Sequence, residues 1–133
     1  NWQLLTPAKW DTEKYVNQSN VLINGDRSNI NWYILRYSDV LLLYAEVLNE
    51  LQGADAVGPT SGLSAREALT QVRSRAFSEA QQASVLSYVN SLTSGEDFFN
   101  AIVDERAWEL AGEGVRKYDL IRWGLLSKKI EER

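Results

Sequence analysis

The stretch from Asp104 to Gly124, DERAWELAGEGVRKYDLIRWG, sets arginines and carboxylates among apolar residues at helical spacing. Phe99, Ile102, Val103 and Leu110 share one helical face, and Arg106 lies in the middle of it. A guanidinium in an apolar stripe cannot neutralise itself by losing a proton. It must find carboxylate or carbonyl partners. Glu105, Glu109, Glu113 and Asp119 are the nearby candidates. Charged partners in register pair, so the chemistry expected is an ion network that fixes the corner between two helices. Gly112 and Gly114 end the first helix, because glycine tolerates the left-handed backbone of a helix end. Val115 leads into a second, shorter helix that carries Arg116, Asp119, Arg122 and Trp123.

Two carboxylates could also do acid–base work on a glycosidic bond. Glu105 and Glu109 lie one turn apart, with Cβ atoms roughly 6 Å from each other. A retaining hydrolase needs carboxyl groups about 5 Å apart across a sugar cleft. Two glutamates on one helix flank beside arginines fit that poorly. Arginine would hold both ionised and leave no general acid. No histidine and no cysteine occur in the 133 residues. That removes His-dependent triads, imidazole and thiolate metal ligands, and the usual near-neutral proton shuttle. No catalytic residue, metal or cofactor is expected.

A second kind of chemistry lies near the start. Trp2, Trp10, Tyr15 and Trp32 sit among asparagines and carboxylates. Flat rings beside amides suit sugars, whose C–H groups stack on the ring while hydroxyls meet the polar groups. The same rings could instead anchor a long loop onto the helices. Trp2, Trp10 and Trp32 are the candidate ligand contacts.

These residues also carry a family resemblance. ER-x-x-EL-x-x-EG-x-R-x-x-DL-x-RWG, Glu105 to Gly124, is similar to the C-terminal signature of the SusD/RagB family. RYSDVLLLYAEVLNE, Arg36 to Glu50, resembles that family's long helix, and ALTQVRSRA, Ala68 to Ala76, resembles the segment that follows it. The three motifs occur in the family's order over roughly residues 30 to 126. The resemblance implies an all-α fold with tetratricopeptide-like helical hairpins. It implies a lipid-anchored, surface-exposed outer-membrane protein of Bacteroidota that binds an oligosaccharide or polysaccharide. Such a protein works without catalysis beside a TonB-dependent, SusC-like transporter. The matched motif residues, among them Arg36, Asp39, Glu46, Arg73, Arg106, Glu109, Glu113, Arg116, Asp119 and Trp123, are assigned to structure. With Glu105 and Arg122 they make up the expected ion network. Family sugar contacts come mainly from loops, so none is carried over to a residue here. A helical-repeat scaffold for a protein partner is the alternative reading, and a glycoside hydrolase fragment the next.

The rest of the chain must position these groups. Its length suits one domain, read as the C-terminal portion of a longer protein. The absence of Met supports that reading. A net charge of −4 argues against nucleic acid. No apolar run approaches ~18 residues, and the resemblance implies that a membrane is met only through an anchor absent from this chain. Residues 1–32 read as mostly irregular, with a possible strand at Val21–Ile23 before an Asn24-Gly25-Asp26 turn. Residues 33–133 read as helical. Tyr33 to Gln52 is the long helix, with Tyr37, Val40, Leu41, Tyr44, Ala45, Val47, Leu48 and Leu51 on one face. Gly53 ends it. Ser64 and Glu67 have capping-box spacing before a stripe of Ala65, Ala68, Leu69, Val72 and Ala76. Ser78 with Gln81, and Ser94 with Asp97, open two further helices. The first two helices match one tetratricopeptide hairpin, with a loop about eleven residues longer than usual.

Overall fold

A computed structural model describes residues 33–132. The chain divides into two units, Asn1–Ile34 and Leu35–Arg133. The second is all-α among the described residues. Its elements are α1 (Tyr37–Gln52), α2 (Ala65–Ser74), a 3-10 turn (Glu79–Gln81), α3 (Gln82–Ser91), α4 (Gly95–Glu109), α5 (Arg116–Arg122) and α6 (Leu126–Glu131). The Val21–Ile23 strand and its turn lie outside the described residues.

The helix boundaries follow local chemistry. Ser64 Oγ accepts from the Glu67 backbone N–H at 3.1 Å, and Ser64 N–H donates to Glu67 Oε2 at 2.7 Å. This closes the capping box expected at α2. Ser94 Oγ accepts from the Asp97 N–H at 3.0 Å and opens α4. Ser78 and Gln81 pair as well, but they cap the short 3-10 turn rather than α3 itself. Gly53, in a positive-φ conformation, ends α1.

Helices α1, α2, α3 and α4 enclose one core. Leu42, Ala45, Ala65, Ala68, Leu69, Val72, Val85, Val89, Phe98 and Ile102 are almost wholly buried in it. The small residues of α2 let α1 approach closely, and this is the most extensive helix pairing in the unit. Ala76 does not extend that stripe, because α2 stops at Ser74 and Ala76 is exposed.

Two expectations about α1 are corrected. The helix begins at Tyr37, not Tyr33: Arg36 is extended (φ −119°, ψ 157°) and its side chain is engaged by α4 and the turn after it. The expected face is only partly buried: Leu41, Ala45 and Leu48 are inside, and Leu42 beside that face is buried with them. Leu42 is 0% exposed, whereas Leu51 is 73% exposed, with Tyr37, Val40 and Val47 also out. Ser38 and Asn49 are inside instead, because each has a polar partner there. Ser38 Oγ accepts from Arg36 and Arg75, and Asn49 Nδ2 donates to the Gly95 carbonyl. On α4 the wholly buried ring is Phe98. Phe99 is only part-buried and meets Trp123 edge-on at 5.7 Å.

A phenol helps to hold the α1–α2 connection, beside backbone bonds such as Gly58 N–H to the Leu63 carbonyl and the Arg66–Asp55 pair. Tyr44 Oη donates to the Leu63 carbonyl at 2.5 Å and accepts from Ser61 Oγ at 2.7 Å. Gly58 runs against that hydroxyl. A Cβ built there would lie 2.0 Å from Tyr44 Oη, so no larger residue fits without displacing the loop or the ring.

Candidate functional site

The corner where α1, α4 and α5 meet contains the ion network. Arg106 projects from α4 and is 4% exposed. Its Nε donates to Asp119 Oδ2 of α5 at 2.8 Å, and its Nη1 donates to Asp39 Oδ1 of α1 at 2.6 Å. Asp119 Oδ1 accepts in turn from Arg122 Nε at 3.0 Å. The Arg122 guanidinium meets both oxygens of Glu46 on α1. Trp123 Nε1 donates to the same carboxylate at 2.8 Å. The chain Asp39–Arg106–Asp119–Arg122–Glu46 therefore ties α1 to α5 through a buried guanidinium.

The three glutamates expected near Arg106 are engaged elsewhere. Arg36 Nε and Nη2 donate to Glu113, while Nη1 reaches Glu109 Oε1 at 2.7 Å and Nη2 reaches the Glu109 carbonyl at 2.7 Å. Glu105 pairs with Arg73 of α2, Nη1 to Oε2 at 2.6 Å. Adjacent residues on a helix point about 100° apart. Glu105 therefore faces α2 while Arg106 faces α1 and α5. Arg116 differs from the expected pattern. Its Nη1 donates to the Val103 carbonyl at 2.7 Å, and it makes no ion pair among the described residues.

Burial pushes the Glu105 carboxyl above its ordinary value, and the hydrogen bond from Arg73 only partly opposes this. Arginine therefore does not simply hold Glu105 ionised, as expected from sequence. Glu105 is nonetheless sealed under α2, while Glu109 is tied to Arg36. Neither has the open approach that an acid–base pair needs.

Trp2, Trp10 and Trp32 lie outside the described residues. Within them, two surface features bear on ligand binding. A groove of about 410 Å³ between α5 and α6 is lined by Arg116, Lys117, Leu120, Leu126, Lys129 and Ile130. No aromatic ring lines it, so it lacks a stacking face for sugar. The other feature is a cluster of rings, Phe77, Tyr88 and Trp108, around Arg73. Sequence reading passed over it. The signal was Trp108 on the flank of α4 that faces away from the core stripe, a large ring at a solvent position.

Among the described residues, no helix is long and apolar enough to cross a membrane. No solved structure matches the chain. Three curated relatives come from Formosa agariphila. SusD-like protein P25 is 37% identical over 102 residues, which is 77% of this chain and 17% of the relative. SusD-like protein P2 is 34% identical over 99 residues, 74% of this chain and 18% of the relative. SusD-like protein P38 is 30% identical over 102 residues, 77% of this chain and 19% of the relative. The chain thus spans less than a fifth of the length of each. The family model of the SusD family matches residues 6–133, so the corner described above sits inside a recognised sequence unit, and the chain belongs to the SusD family.

Proposed function

We propose that this chain is the C-terminal portion of a non-catalytic glycan-binding protein. In this reading the intact protein is lipid-anchored on the outer membrane, where it delivers oligosaccharide to a TonB-dependent, SusC-like transporter. The observation that carries the proposal is the family match over residues 6–133. The side-chain chemistry is consistent with it. The charged motif residues are spent on helix-to-helix pairing, with Arg106 and Asp119 nearly solvent-free. The candidate acid–base glutamates are locked in ion pairs. Ligand contact then falls to aromatic side chains, with Trp2, Trp10 and Trp32 as the proposed loop platform.

A second reading has its own observation. Tyr37, Val40, Val47 and Leu51 form an exposed apolar stripe along α1. A stripe of that kind is a packing surface for protein, so the helical layer is also a scaffold. The two readings coexist, since a glycan-binding protein beside a transporter needs both surfaces.

The test is a glycan array on the intact protein, followed by a reducing-end assay on each polysaccharide retained. Binding without release of reducing ends is the expected result. Sustained turnover that disappears in Glu105→Gln or Glu109→Gln would overturn the non-catalytic reading.

A further inference from the structure

We propose that Phe77, Tyr88 and Trp108 form a sugar-binding platform built on the helical layer. This inference rests on the glycan-binding reading above. The three rings come from three places: the turn after α2, helix α3 and helix α4. Their centroids lie 5.5, 4.3 and 5.3 Å from the guanidinium carbon of Arg73. Arg73 is itself fixed, because Nη1 donates to the buried Glu105 at 2.6 Å. The guanidinium that touches all three rings is therefore itself tied to α4.

The rings are not part of the core. Trp108 is 59% exposed, and Phe77 and Tyr88 are each 36% exposed. Their polar tips are also open. Trp108 Nε1, Tyr88 Oη and Arg73 Nη2 make no hydrogen bond among the described residues. Flat apolar faces next to unused donors match the two sides of a sugar ring, C–H face and hydroxyl rim. A protein partner would also favour Trp, Tyr and Arg. On the glycan-binding reading the occupant is a sugar, and polar groups beside the rings can meet its hydroxyls. Asp104, one turn before Trp108, is exposed, as is Arg75. The Gln82 amide donates to the Phe77 carbonyl. That setting suits hydroxyl groups.

The experiment uses the intact protein labelled with 5-fluorotryptophan, titrated with a panel of neutral and uronate-containing oligosaccharides. Trp108→Phe assigns the Trp108 fluorine signal. The expected result is a shift of that signal on binding. Trp108→Ala should weaken binding of the same oligosaccharide about fivefold, the equivalent of one lost aromatic contact, with the melting temperature lowered by no more than the loss of one exposed cation–π contact. Tyr88→Phe, which keeps the ring, should weaken it less. An unmoved Trp108 signal with undiminished Trp108→Ala binding sinks the platform and leaves the glycan-binding reading standing. A larger drop in melting temperature in Trp108→Ala also sinks it, since the ring would then be a packing contact within the intact protein. Wild-type protein that binds nothing in the panel overturns both readings.

Discussion

Arg106 and Asp119 are thirteen residues apart and share one of the most enclosed ion pairs in the fold, at 2.8 Å with both side chains almost wholly out of solvent. Asp39 takes a second arm of the same guanidinium. One arginine thus joins three helices. A charge in that position is tolerable only while both acceptors remain.

Arg106→Ala should therefore cost far more than its lost methylenes. It leaves Asp119 with Arg122 alone and Asp39 with no arginine, and it opens a cavity. The expected loss is on the order of 3–5 kcal/mol, against a typical total of about 5–15 kcal/mol. Chemical denaturation of the variant measures it. Arg106→Lys keeps the charge but not the two-armed geometry, so it should fall between. A variant that melts like wild type yet loses glycan would make Arg106 a ligand contact instead.

Gly58→Ala should disturb the α1–α2 connection by collision rather than by backbone strain. The new methyl would occupy the place of Tyr44 Oη. Overpacking of this kind costs roughly 1–3 kcal/mol. Tyr44→Phe removes that oxygen, together with its bond to the Leu63 carbonyl. The double variant Gly58→Ala/Tyr44→Phe should accordingly be more stable than the sum of the two losses predicts. A double-mutant cycle by urea denaturation gives the coupling. Strict additivity would place the cost of Gly58→Ala somewhere other than Tyr44.

Much of the fold is legible in the sequence because it rests on local rules. The Ser64–Glu67 box and the glycine ends at Gly53, Gly112 and Gly114 need only neighbours a few residues away. So does the small-residue stripe of α2. Long-range contacts decide what was missed. Periodicity cannot choose between two apolar faces on α1. The choice falls to Ser38 and Asn49, whose partners Arg75 and Gly95 lie far along the chain. Likewise Arg106 passes over the glutamates beside it for Asp39, sixty-seven residues away. That Arg106 is short of solvent follows from its apolar stripe, and Asp119 is among its nearby candidates, but the choice of Asp39 follows only from how α1 is docked. Trp108 is hidden for the opposite reason, since a helix-stripe argument looks for what is buried and Trp108 faces out.

Glu105 gives a prediction with a definite sign. Two effects oppose each other at this carboxyl: burial raises its proton affinity, and Arg73 lowers it, with burial the larger. Its folded value thus lies above the ordinary 4.5. A group with a raised folded value binds protons more tightly in the native state than in the unfolded chain. Its stabilising contribution is complete below the unfolded value and is lost as pH rises through the folded value. Glutamine at this position does not titrate, so the stability advantage of wild type over Glu105→Gln should shrink from about pH 4 to pH 7. Asp55 and Glu67 act in the opposite sense. Arg66 and the Ser64 cap hold them below their ordinary values, so what they contribute is lost as pH falls. Because both are present in wild type and variant, they cancel from the difference. Urea denaturation of the two proteins at a series of pH values measures the gap, and a carboxyl-carbon NMR titration gives the Glu105 midpoint directly. A gap that widens with pH, or a midpoint below 4.5, would show that pairing with Arg73 outweighs burial.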